Sequence, residues 1–359
     1  MNRLSPPWEL QVLAGKTALA HIRRNGLSAT DIQLVMGASG AAKWLSIYGL
    51  DRAVFSQWLS NTPLHLFGTS IGAWKLCAAA QRNPALALDR LKQAYIRQHY
   101  TGHPSPREIS RQSHLILDHV FPRTAMDDIL SHPTHRIAFG TVRCRGPLGQ
   151  AHRPLQGLGL ATAFGLSRLG RHCQRVCFER VIFHHPQFNT SLLDTSDFPT
   201  RYIPLTRDNF RAALLASGSI PFYMEGIKDI PGAPRGTYRD GGILDYHPTL
   251  PLASKEGFIL YPHFFPHLIQ GWFDKYTHSG RAQSPLTDRI ILLAPSPAFV
   301  ATLPRGKIPD RKDLEDFMDH PGQRKEFWTR AADHCQRLGK IFLEGIKTHA
   351  IRDWVRPLP

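Results

Sequence analysis

Long apolar runs are missing from this chain. No stretch of eighteen or more apolar residues occurs, so no segment has the make-up of a transmembrane helix. Met1 to Trp8 hold no long apolar core, so no secretory signal is expected. A cytoplasmic protein, at most peripheral to a membrane, is the expectation. Cysteine is scarce, with five at positions 77, 144, 173, 177 and 335. An odd, scattered set argues against a disulfide framework and suits buried thiols in a reducing compartment. Cys173 and Cys177 sit four apart beside His172 with no second ligand pair nearby, so packing explains them better than zinc does. Acidic residues are also few. There are 28 Asp and Glu against 44 Lys and Arg, a net charge of +16. Such a surface attracts phospholipid headgroups, nucleic acid or an acidic protein. The excess is spread out, with no block of five or six like charges. No zinc-finger, RNP or helix-turn-helix signature accompanies it, so specific nucleic-acid binding is not expected.

What is present is enough apolar residue, 42% of 359, for one large domain or two smaller ones. There is no internal repeat and no clean domain boundary. The chain is organised around Leu64-His65-Leu66-Phe67-Gly68-Thr69-Ser70-Ile71-Gly72-Ala73-Trp74. It reads as a short strand, a sharp turn, and a helix running through Lys75 to about Gln81. The turn carries G-x-S-x-G, the sequence form of a nucleophile elbow, with Ser70 at its tip. Gly68 and Gly72 fit a place where strand and helix come too close for a Cβ. The helix N-terminus behind the serine offers free N–H groups to an oxyanion. A glycine-rich turn with an inert serine would share the pattern.

Asp31 to Met36 read as the first good strand, entering Gly37-Ala38-Ser39-Gly40-Ala41-Ala42-Lys43 and then a helix from about Ala41 to Leu59. A strand, a small-residue loop and a helix make a site for negative charge. Three readings compete for this loop: a nucleotide site, an oxyanion hole beside Ser70, or a plain turn. No Walker A pattern is present, and no Tyr is followed four residues later by the Lys that short-chain dehydrogenase chemistry needs. Further along, Asp240-Gly241-Gly242 closes a short extended run. It is either a common Asp-Gly turn or a carboxylate kept reachable as a base.

The remaining stretches predict a helix over residues 8–24, helices over 85–100 and 106–121, and strands at Arg136–Val142 and Val176–His184. Residues 147–172 are ambiguous, and a long loop is expected over 186–199. Tyr202–Leu205 leads to a helix from Arg207 to about Ala216. A buried strand follows at Arg289–Pro295, and a long helix from about Gly322 to Ile351. An aromatic segment from Phe258 to Tyr276 suits a packed cap or the mouth of a lipid site. An amphipathic helix packed on the main domain is the default for residues 8–24, with a membrane-surface helix as the alternative.

Taken in order, these stretches resemble patatin-like phospholipases. The small-residue loop Gly37 to Lys43, the elbow Gly68-Thr69-Ser70-Ile71-Gly72, and Asp240-Gly241-Gly242 follow the family's order, and Ala216-Ser217-Gly218-Ser219-Ile220-Pro221 looks like the segment before the family's aspartate. The likeness spans about residues 31–250. One departure is the loop itself: the family has a run of glycines, then Arg or Lys, then Gly. Here Lys43 stands for the basic residue without its following glycine. The resemblance implies a three-layer α/β/α fold with a mainly parallel sheet. It implies a Ser70–Asp240 dyad cleaving acyl-lipid esters through an acyl-enzyme, with no metal and no cofactor. Gly37, Ser39, Gly40 and Ala41 are the expected oxyanion residues, and Lys43 is a candidate anion or headgroup contact. Partners would be a lipid or lysophospholipid substrate and an anionic membrane surface. The expected layout is a helical extension over 1–30, a catalytic domain over 31–300 with a helical insertion at about 85–130, and a C-terminal helical segment over 301–359. Two other readings stay open. One is a Ser–His–Asp esterase using His247, His263, His267 or His278. The other is a catalytically silent basic protein that binds membrane surfaces.

Overall fold

The computed structural model describes residues 7–100, 102–150, 152–253, 256–276 and 286–359. His278, one of the candidate histidines, lies outside them. Among the described residues eleven strands form one mixed sheet. They are β1 Leu10–Ala14, β2 Ile32–Gly37, β3 Leu64–Thr69, β4 His135–Cys144, β5 Phe178–His184, β6 Thr200–Pro204, β7 Ile227–Lys228, β8 Thr237–Asp240, β9 Phe258–Pro262, β10 Ile290–Pro295 and β11 Arg356–Pro357. The order is β11-β1-β10-β9-β2-β3-β4-β5-β6, with β8 on β4 and β7 on β8. From β10 to β4 every pairing is parallel. Strands β2, β3, β9 and β10 are almost wholly buried, as expected where helices cover both faces of a parallel sheet. The result is a mostly parallel three-layer α/β/α fold.

Three segments differ from the sequence expectation. Residues 8–24 are not one helix. Leu10–Ala14 is a strand paired antiparallel with β10, and the helix begins only at Lys16. Apolar residues at 10, 12 and 13 suit either period, and pairing with the uniformly apolar β10 decides the matter. The aromatic segment does not lie wholly over the sheet either, because Phe258–Pro262 is an internal strand between β10 and β2. The run after the small-residue loop is helical but composite: a 3₁₀ stretch Ala41–Ile47, an α-helix Tyr48–Ala53 and a π turn Val54–Trp58. The ambiguous stretch resolves as a helix, Arg153–Leu169. Between the elbow helix and β4 stand three helices, Pro84–Arg97, Pro106–Val120 and Arg123–Leu130. The helix Pro321–Lys347 packs across Tyr48–Ala53.

One feature of the sheet positions the candidate site. Strand β4 is longer than β3. Its first half pairs with β3, ending at Thr69↔Gly140. Its next residues pair antiparallel with β8, beginning at Thr141↔Asp240. Strands β3 and β8 therefore meet end to end along one edge of β4. The residue that follows Thr69 is Ser70, and the last residue of β8 is Asp240. Sheet register alone brings together two residues 170 positions apart.

Candidate active site

Ser70 sits between β3 and the helix Ile71–Ala79 with φ 53° and ψ −131°. A positive φ at a non-glycine residue costs on the order of 1–3 kcal/mol and persists only where its surroundings enforce it. Here the enforcement is close backbone contact. A Cβ on Gly72 would drive into the Gly37 carbonyl, and one on Gly68 would meet the Gly72 backbone. The ends of β2 and β3 and the start of the elbow helix thus lock together through three glycines. The Ser70 amide donates to Ser217 Oγ at 3.0 Å, and Ser217 Oγ donates to the Gly140 carbonyl at 2.8 Å. Ser217 therefore ties the serine's backbone to β4 just where β3 gives way to β8.

Ser70 Oγ donates to Asp240 Oδ2 at 2.8 Å, and the Gly242 amide donates to Asp240 Oδ1 at 2.6 Å. Both side chains are nearly buried, at 7% and 6% exposure. Burial raises the Asp240 carboxyl to about 6, against the pull of the Gly242 amide, the Ser70 hydroxyl and the more distant Lys275 and Arg311. A carboxylate of that basicity, already hydrogen-bonded to a hydroxyl, can take up its proton near neutral pH. Gly241 packs against the Gly140 carbonyl and Gly242 against Ser39, and neither has room for a Cβ.

The small-residue loop lies beside the serine, but its amides are not equivalent. Gly37 ends β2, in register with Gly68. The Ser39 amide donates to the Tyr246 carbonyl at 2.8 Å, which removes it from the expected oxyanion set. Its side chain is engaged too. Thr69 Oγ1 gives its only proton to the Asp245 carbonyl at 2.6 Å, so Ser39 Oγ, 2.9 Å away, is the donor to Thr69. The amides of Gly40 and Ala41 meet no backbone acceptor among the described residues. Ala41 also has a positive φ, 52°.

Two cavities meet at Ser70. One, of about 480 Å³, is lined by apolar side chains that include Ile71, Trp74, Ile116, Leu215, Met224 and Phe317. The other, of about 380 Å³, holds Lys43, Lys275 and Arg311 with Asp240. Lys275 and Arg311 were not singled out from the sequence. Isolated cations in a chain with a large basic excess carry no signal of where the fold will gather them. The described candidate histidines have other contacts. His247 Nδ1 accepts from the Ile269 amide, His263 pairs with the Phe265 backbone, and the His267 ring stacks on Phe265. No group of three or more His, Cys, Asp or Glu among the described residues could hold a metal ion. No described helix is long and apolar enough to cross a membrane.

This geometry can be set beside known proteins. The family model for patatin-like phospholipase matches residues 34–253, which is 220 of the 359 residues. The chain belongs to the patatin-like phospholipase family. No curated protein sequence matches it. Among solved structures, human GIVD cytosolic phospholipase A2 is similar at 12% identity and a TM-score of 0.33. That match covers 93% of this chain and 63% of the human protein. In this patatin-like chain the matched region holds Ser70, Asp240 and the loop. Lys275 and Arg311 come from the part beyond it.

Proposed function

We propose that this protein is a serine acyl hydrolase that cleaves fatty-acyl esters of lipids through Ser70 and Asp240. The observation that carries the reading is the 2.8 Å hydrogen bond from Ser70 Oγ to a buried carboxylate, made where an apolar cavity meets a charged one. The acyl chain lies in the apolar cavity. Asp240 Oδ2 takes the hydroxyl proton as Ser70 Oγ bonds to the ester carbon, and the carbonyl electron pair moves onto oxygen. The Gly40 and Ala41 amides and the N-terminus of the elbow helix face that charge. Collapse breaks the ester C–O bond, and the departing alkoxide takes the proton from Asp240. Water then gives a proton to Asp240 and attacks the acyl carbon. Ser70 leaves as the hydroxyl, regaining that proton, and the fatty acid departs. A base near 6 is mostly ionised at neutral pH yet still able to hold a proton between steps.

Labelling by a fluorophosphonate probe tests this without knowledge of the substrate. Wild type should label at Ser70, and folded Ser70→Ala and Asp240→Asn should not. No labelling of folded wild type would overturn the hydrolase and leave a basic membrane-surface protein as the better account. Loss of labelling in His247→Ala with retention in Asp240→Asn would replace the dyad with a Ser–His site.

A further inference from the structure

We propose that Arg324, in the wall of the apolar cavity beside Ser70, receives a carboxylate at the far end of the acyl chain. The inference rests on the acyl-hydrolase reading and deepens it to a substrate class: monoesters of dicarboxylic acids, whose acyl chain is apolar along its length and anionic at its end.

A buried arginine is ordinarily paired with acids. Arg180 is fully buried and follows the rule. It donates to Asp245 from Nε and Nη2, at 2.7 and 2.9 Å, and to Asp197 from Nη1 and Nη2, at 2.6 and 3.0 Å. Arg324 is only 2% exposed and has no acidic partner among the described residues. The residues outside the described set include no Asp or Glu that could supply one. Arg324 Nη2 donates to the Gln98 carbonyl, and the guanidinium lies 4.5 Å from the centre of the Trp328 ring. Nη1 is buried with no hydrogen-bond partner. An aromatic face steadies a cation without neutralising it. Arg239 is likewise buried without a carboxylate, but it lines neither cavity.

Burial lowers Arg324 from its ordinary value, opposed by the fields of Tyr100, Tyr95 and Asp313. Asp313 is already held. It accepts from the Lys307 ammonium at 2.6 Å, the Trp328 indole at 2.9 Å and the Asp310 amide at 2.8 Å. A guanidinium stays charged even when buried. The cavity wall therefore carries a positive charge that no neighbouring carboxylate pairs with, and an unused donor to go with it.

Arg324 lines the apolar cavity and not the charged one, whereas Ser70 lines both. It sits in the first turn of the helix Pro321–Lys347, a turn without an acid, and Pro321 lines the same cavity. The N-terminus of a long helix adds a favourable field for negative charge. A neutral fatty tail would leave the guanidinium desolvated among methylene groups. A chain that ends in a carboxylate lays its methylenes along the apolar walls and offers the guanidinium two oxygens. Glu315 lines both cavities and repels a carboxylate from their junction. Arg324 lies beyond the family-matched residues, so this selectivity belongs to the chain's own C-terminal part.

Calorimetry on Ser70→Ala protein reads the site without turnover. The probes are monoethyl sebacate and ethyl decanoate, equal in acyl length, with the suberate–octanoate and dodecanedioate–dodecanoate pairs for shorter and longer chains. At the length that fits, the half ester should bind at least about 30-fold tighter than the neutral ester. Adding Arg324→Gln should erase that preference while ethyl decanoate binds nearly as before, and Arg324→Lys should retain part of it. Lys275→Gln with Arg311→Gln should retain it in full. Equal binding within every pair, or a preference that survives Arg324→Gln, would overturn the proposal. A preference lost with Lys275→Gln and Arg311→Gln would place the carboxylate in the charged cavity and overturn it too, with Arg324 left untouched. Decanoate binding as tightly as the half ester, with no gain in kcat/KM for the half ester on wild type, would assign Arg324 to released fatty acid and sink the substrate class. Circular dichroism confirms that each variant is folded. Failure of the parent reading shows separately, as absent fluorophosphonate labelling of wild type.

Discussion

Two buried aspartates meet the elbow and its helix, Asp240 at Ser70 and Asp51 at Lys75, and their partners make them different residues. Asp51 is fully buried and takes two hydrogen bonds from Lys75 Nζ, at 2.8 and 2.9 Å, and one from Trp44 Nε1 at 2.8 Å. Asp240 is nearly as buried but meets only a hydroxyl and an amide. Burial pushes both carboxyls up. At Asp51 the Lys75 charge opposes the shift, and burial lowers Lys75 in turn. At Asp240 the opposing cations are distant, and the carboxyl reaches about 6. Asp51 joins Trp44, which follows the small-residue loop, to Lys75 on the elbow helix, so it holds the two halves of the site together. Asp240 is left without a cation, and that absence keeps its proton affinity useful.

The most drastic way to break the contrast is Asp240→Asn. If Asp240 is the general base, its loss should lower kcat by about 10²–10⁴-fold, measured on a chromogenic acyl ester. Its loss should not destabilise the fold. The folded-state value of Asp240 lies above that of the unfolded chain, so folding takes up a proton between about pH 4 and 6. The stability this group contributes is present below that window and is lost as pH rises through about 6. At pH 7 its ionisation opposes folding by up to roughly 3 kcal/mol. The asparagine variant should equal or exceed wild type in Tm at pH 7, and its advantage should shrink at pH 4. A variant less stable at pH 7 than at pH 4, relative to wild type, would show that Asp240 holds the structure as Asp51 does.

Asp51→Ala should behave in the opposite way. It leaves Lys75 buried without its carboxylate, a loss of about 3–5 kcal/mol by denaturant titration. Pairing it with Lys75→Met should restore most of that, because removing both charges also removes their desolvation. Recovery of stability with labelling still weak would mark Asp51 as a positioning residue for the loop.

The two aspartates were not equally legible. Asp240 stood in a short motif whose order relative to Ser70 resembles a known family, and the mainly parallel sheet came with that resemblance. Asp51 lay inside a helical run with nothing local to mark it, since its partners Lys75 and Trp44 become neighbours only on folding. Strand β1 was hidden because its apolar pattern merges with that of the helix after it. The Ser39 amide was misassigned because its acceptor, the Tyr246 carbonyl, belongs to a segment two hundred residues away in sequence. Local chemistry marks what a residue type can do, while tertiary pairing decides which atoms remain free to do it.

A gentler comparison uses pH. If Asp240 is the base, kcat/KM should fall about tenfold per pH unit below about 6, or roughly 1.4 kcal/mol per unit. Removing the two distant cations that favour its ionised form, with Lys275→Gln and Arg311→Gln, should move that limb to higher pH. A limb that stays put, measured with a neutral ester, would mean that burial alone sets Asp240.

The smallest expected effect falls on Ser217, which serves the Ser70–Asp240 pair much as Trp44 serves Asp51. Its hydroxyl accepts from the Ser70 amide and donates to the Gly140 carbonyl, on β4, the strand with which both β3 and β8 pair. Ser217→Ala leaves a buried donor and a buried acceptor unpaired, a loss of about 1–2 kcal/mol. The strained Ser70 backbone would bear part of that loss, so kcat should drop about five- to tenfold while KM changes little. Ser217→Thr keeps the hydroxyl and should retain more of kcat than Ser217→Ala does. If Ala lowered stability but left kcat intact, the elbow would be held by Gly37, Gly68 and Gly72 alone. Glycine contact would then position the serine, while the Asp51–Lys75 ion pair ties the same helix to Trp44 after the loop.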